Sequence, residues 1–118
     1  MLQALIDYAL AKPGAEPSFP FGPEVLVIKV MGKIFALTRR QEPHAIFNLK
    51  CDPTSALALR ANFPAIKPGY HMNKQHWNTV ELDGSLQFDE LQRLIDHSYD
   101  LVTKSLTKAM RERLSIID

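Results

Sequence analysis

Two apolar, β-branched segments separated by a single short turn limit most strongly what this chain can fold into. Val25-Leu-Val-Ile-Lys-Val-Met31 places Leu26, Ile28 and Val30 on one face of an extended strand, and Ile34-Phe-Ala-Leu-Thr38 follows directly after Gly32-Lys33. A glycine turn between two such runs predicts an antiparallel hairpin. A third strand, His44 to Lys50, follows the turn at Gln41-Glu42-Pro43; Ala45, Phe47 and Leu49 face one side, Ile46 and Asn48 the other. The three make a meander, and a one-sided sheet of this kind needs helices to cover its apolar face.

The helices are also legible. Leu2, Leu5, Ile6, Ala9 and Leu10 repeat at helical spacing, so a first helix is expected from residue 2 to Lys12, ended by Pro13-Gly14. The stretch from there to Pro23 is rich in proline and reads as an extended connection. Asp52-Pro53 is a capped helix start, and the helix should run to Asn62 before Phe63-Pro64 stops it. Ile66 to His71 and Trp77 to Leu82 read as short strands, the first placed at a sheet edge by Pro64 and Pro68. After Asp83-Gly84 comes the longest helix, with Leu91, Leu94, Ile95, Ser98, Tyr99, Val102 and Leu106 on one face. Thr107 caps a final short helix carrying Met110, Leu114 and Ile117. The expected order is α-β-β-β-α-β-β-α-α, a two-layer α+β domain spanning residues 1–118, with a twisted antiparallel sheet packed against helices.

Composition narrows the function classes. With 118 residues, 46% apolar and 23% charged, the chain can bury a core without a metal or a disulfide, and its single Cys51 forms no internal bridge. No basic-then-apolar leader and no long apolar run is present, so a cytoplasmic protein without a membrane role is expected. Net charge is +1, but it is unevenly spread: residues 25–80 carry +6 and residues 81–100 carry −5. Such polarity either presents a basic face to an anionic partner or cancels across the fold.

Chemistry-bearing residues concentrate between Lys67 and Val80, where the only Trp stands among two His and two Lys. Lys67, His71, Asn73, Lys74 and His76 can donate to phosphate, Arg39 and Arg40 add charge, and Tyr70 or Trp77 can stack on a base. The competing reading makes Trp77 an anchor whose indole meets a backbone acceptor, with Lys74 simply solvated. No metal site is expected, because His71 and His76, even with His44 or His97, lack established ligand spacing. Cys51 beside Lys50 reads as a small buried hydrophobe rather than a lowered-pKa thiol. His97, Ser98 and Asp100 sit on one helix in directions that form no catalytic line, so His97 reads as solvated and Tyr99 as a structural hydrogen-bonding residue. Neither a cofactor nor an enzymatic activity is expected.

Pro13-Gly14, Pro68-Gly-Tyr-His-Met-Asn-Lys-Gln-His-Trp77, Val80-Glu-Leu-Asp-Gly84 and Ile95-Asp-His-Ser-Tyr99 together resemble the MmcQ/YjbR family of small bacterial proteins, over essentially the whole chain. The resemblance implies a CyaY-like two-layer fold related to secretion chaperones, and a double-wing DNA-binding role with the hairpins as wings. At Gln87-Phe88 the chain lacks the proline common before the long helix in relatives. Three activities follow as expectations. The first is a DNA-binding module using a basic sheet and hairpin surface. The others are a protein-interaction or chaperone-like module, monomeric or weakly homodimeric, and a small anionic ligand site.

Overall fold

The structure, a computed structural model, describes residues 1–69 and 72–116. The elements run α1 (Leu2–Leu10), β1 (Ala15–Ser18), β2 (Val25–Val30), β3 (Lys33–Arg39), β4 (Ile46–Lys50), α2 (Pro53–Asn62), β5 (Ile66–Pro68), β6 (Trp77–Glu81), α3 (Phe88–Lys104) and α4 (Lys108–Ser115). Six strands form one antiparallel sheet in the order β1-β2-β3-β4-β6-β5, with the helices on one side, the α+β class expected.

Two local assignments change. The proline-rich connection holds a strand: β1 pairs antiparallel with β2 from Ala15 opposite Val30 to Ser18 opposite Val27. Pro17 is tolerated because β1 is the sheet edge, where a missing N–H leaves no inner ladder broken. The hairpin turn is Met31-Gly32, not Gly32-Lys33, since Val30 pairs with Lys33. Both turn residues have positive φ, 49° and 82°, as a two-residue turn of the primed type requires. β5, as expected, lies at the other edge.

The core lies between the sheet and the helices. Ile28, Val30, Phe35, Phe47, Leu49 and Val80 from the strands meet Leu5 and Ala9 of α1 and Leu91, Ile95, Tyr99 and Val102 of α3, all buried. Phe35 and Tyr99 meet edge-to-face at 5.1 Å.

Two neighbouring residues of α3 fasten the layers. Ser98 is fully buried; its Oγ accepts the Lys50 N–H at 2.8 Å and donates to the Phe35 carbonyl at 2.5 Å. The regular β3–β4 pairing ends at Ala36 opposite Leu49, so this hydroxyl bridges the next backbone pair across the two strands. Tyr99 donates its hydroxyl to the Pro13 carbonyl at 2.5 Å and fixes the exit of α1.

The helix ends follow local chemistry. Asp52 accepts from Thr54 N and Ser55 N, starting α2, and Thr107 accepts from Met110 N, starting α4. At the start of α3, Glu90 reaches back to accept the Gln87 N–H at 2.9 Å. The expected fourth-helix residue Ile117 lies outside the described residues.

Candidate functional site

Strand register defines what the other side of the sheet presents. Cross-strand partners share a face, so Val25 with Arg39 and Ile46, Val27 with Leu37 and Asn48, Lys29 with Ile34, Asn48 with Thr79, and Lys50 with Trp77 all point away from the helices. Glu16, opposite Lys29, Glu81, opposite Ile46, and Lys67, opposite Thr79, join them. This face therefore carries four cations, Lys29, Arg39, Lys50 and Lys67, against two carboxylates, with apolar residues between.

Two loops wall a cavity on this face. Phe21, from the loop after β1, and Met72, from the loop after β5, line a space of about 360 Å³ whose floor includes Val25, Leu37, Ile46 and Asn48. Arg39 and Gln41 also line it. Phe21 is 66% exposed, whereas Ile46 and Asn48 are buried. The Asn48 Oδ1 is taken by the Thr79 hydroxyl at 2.5 Å, so its amide N–H groups are what it offers the cavity.

The sequence-selected residues divide. Arg39 and Arg40 are adjacent but diverge: Arg40 lines a separate cleft beside Leu2, Ile6 and Phe19. Neither side chain makes a hydrogen bond or ion pair with the described residues. Lys67 is held by Glu81 at 2.7 Å. Lys74 turns back to donate to the Gly69 carbonyl at 3.2 Å, and Asn73 accepts from Gln75 N at 2.9 Å, so both serve the turn. The His76 side chain is exposed while its carbonyl accepts from Cys51 N. His71 and Tyr70 lie outside the described residues.

Trp77 acts as an anchor mainly through its backbone. It is half-buried at the start of β6, and its carbonyl accepts from Gly69 N at 2.8 Å. A Cβ at Gly69 would lie 2.8 Å from the Trp77 Cβ, so only glycine lets β5 pass this close. Arg60 completes the arrangement, donating to Asn78 Oδ1 at 2.7 Å, to the Trp77 carbonyl at 3.2 Å and to the Lys74 carbonyl. In sequence Arg60 is one more cation on a helix; its role depends on α2 lying across the start of β6.

On the helical side, His97 is tied in rather than solvated: its Nε2 accepts the Asp52 N–H at 3.3 Å and stands 4.0 Å from the Asp52 carboxylate. The bond forms because α3 packs against the start of α2. Cys51 is buried, and that burial, with Asp52 nearby, raises its thiol pKa, the opposite of an activated nucleophile. A groove of about 430 Å³ between α2 and α3 is walled by Leu59, Phe63, Leu86 and Leu94, with Arg93 and His97 at its edge. Tyr8, Lys12 and Asp96 join α1 to α3: Lys12 Nζ is 2.5 Å and the Tyr8 hydroxyl 2.6 Å from Asp96 Oδ1. Among the described residues no three His, Cys, Asp or Glu side chains group to hold a metal, and no helix is long and apolar enough to cross a membrane.

Fold and site together define a small two-layer α+β protein with one sheet face packed on helices and the other free of helices, cationic at its margins and partly covered by loops around an apolar cavity. The chain belongs to the YjbR family, whose model matches residues 10–101. The uncharacterised protein YbdF of Escherichia coli O157:H7 is 42% identical to it over 106 residues, 90% of this chain and 87% of that one. The uncharacterised YjbR of Escherichia coli K12 is 36% identical over 113 residues, 96% of each. A crystal structure of a Deinococcus radiodurans protein with the DUF419 domain is similar with a TM-score of 0.89 at 41% identity, covering 98% of this chain and 88% of that one. A Pseudomonas syringae protein is similar with a TM-score of 0.74 at 34% identity, covering 84% of this chain and 96% of that one.

Proposed function

We propose that this protein is a non-enzymatic binding module that receives nucleic acid across the open face of its sheet. The observation that carries this reading is the placement of Lys29, Arg39 and Lys50 on the face of adjoining strands that is not packed on the helices, with half-buried Trp77 on the same face and exposed Phe21 at its cavity. Cations that follow a backbone and aromatic rings that accept bases are the two parts of such a surface. The contact set differs from the one the sequence suggested. Lys67 and Lys74 are engaged within the protein, and Arg40 faces elsewhere, so Lys29, Arg39 and Lys50 are the cations available to phosphate.

Fluorescence anisotropy with labelled DNA tests this. Three phosphate contacts predict that log affinity falls with log salt with a slope of about −2 for single strands and about −3 for duplex. Arg39→Gln, Lys29→Gln and Lys50→Gln should each lower the slope by roughly 0.7 to 0.9. Absence of binding at low salt, or a slope untouched by all three substitutions, refutes the reading.

A further inference from the structure

We infer that the cavity between Phe21 and Met72 receives one unstacked nucleobase, so that the open face takes single strands in preference to duplexes. This rests on the nucleic-acid reading above and specifies the form of partner. The Phe21 ring, 66% exposed at the cavity wall, offers a π-face, and Met72 offers a polarisable thioether. Val25, Leu37 and Ile46 make the floor apolar, while the Asn48 and Gln41 amides supply hydrogen bonds for a base edge. Arg39 lines the same space, within the reach of a phosphate attached to that base, and Lys29 and Lys50 on the same face suit neighbouring phosphates.

Size and charge select the occupant. At about 360 Å³ the cavity is near the lower end of small-ligand pockets, which begin at about 300 Å³, so it accommodates one nucleotide and not a folded segment. The surrounding cations favour an anionic chain over a neutral apolar one. A base within a duplex is stacked on both faces and paired along its edge, so it cannot enter without being extruded.

The test compares three labelled probes of equal length at one low salt concentration: a mixed-sequence single strand, its duplex, and a strand of abasic residues carrying the same phosphates. The single strand should bind on the order of ten-fold more tightly than either other probe. Phe21→Ala should remove most of that advantage without changing the salt slope, and Phe21→Trp should retain it. Phe21 is exposed, so both variants keep the core intact, which far-UV circular dichroism checks. Equal affinity for the abasic strand or the duplex, or an unaffected Phe21→Ala, overturns the base cavity while leaving nucleic-acid binding standing. Absence of binding to all three probes overturns both.

Discussion

Replacing Ser98 by alanine removes one oxygen atom and two hydrogen bonds that link three elements. Ser98 has no exposed surface, and its hydroxyl is the partner of both the Lys50 N–H and the Phe35 carbonyl. A buried polar group left without its partner costs about 1–3 kcal/mol. Phe35 is fully buried, so its carbonyl carries most of that penalty, whereas Lys50 is half-buried and its N–H can partly rehydrate. The two together cost about 3 kcal/mol, and the better helix propensity of alanine returns about 0.5 kcal/mol. The net loss of about 2.5 kcal/mol is a large share of the 5–15 kcal/mol typical of a domain. With an unfolding entropy of about 2.1 cal/mol/K per residue, 1 kcal/mol shifts the melting temperature of a chain this long by about 4 °C, so Ser98→Ala should melt about 10 °C lower. Thermal unfolding followed by circular dichroism measures it, and amide exchange at Lys50 should accelerate beyond the global change. A melting temperature within about 2 °C of the parent would refute the claim that this hydroxyl holds the strands together.

Arg60→Met keeps the aliphatic stem but removes the donors to Asn78, Trp77 and Lys74, leaving the buried Asn78 Oδ1 without its charged partner. A loss of about 2 kcal/mol is expected by urea titration, with chemical-shift changes concentrated at residues 73–78. Asp96 carries the third prediction. Burial acts to raise its pKa, but the hydrogen bonds from Lys12 and Tyr8 outweigh that and hold the carboxyl below its ordinary value. A depressed carboxyl contributes stability above the unfolded value near 3.9 and loses it as pH falls through the folded value. Asp96→Asn should therefore be less stable than the parent at neutral pH, with the difference shrinking as pH falls through the folded value of Asp96, as parallel melts across pH will show.

How far the sequence could be read follows from what each signal depends on. The β2–β3–β4 meander, the Asp52-Pro53 helix start and the edge position of β5 rest on local chemistry, and each stands where the residues placed it. β1 was hidden because Pro17 argues against a strand unless its free edge is known, and that edge is a property of the whole sheet. The hairpin shifted by one residue because Met31 adopts a positive φ that turn chemistry assigns to glycine or asparagine. Arg39 and Arg40 look equivalent in sequence, yet strand alternation sends them to opposite sides. Lys67 looked free because its partner Glu81 arrives only through the β5–β6 pairing. Phe21 stands in a proline-rich segment, and its one signal in the sequence is that an aromatic there has no obvious core to fill.

The motif residues that carry the resemblance serve the fold, for a physical reason. Ser98 and Tyr99 hold α3 to the strands and to the end of α1, and Gly69, Lys74 and Trp77 bond among themselves around the β5–β6 turn. These jobs admit few substitutes, since a hydroxyl must reach two backbone groups at once and only glycine fits beside Trp77. Met72 lies between these bonded positions and lines the cavity on the other face of the sheet. Charge marks this region in the sequence, but which of its cations are engaged within the protein, as Lys67 and Lys74 are, is decided by the fold.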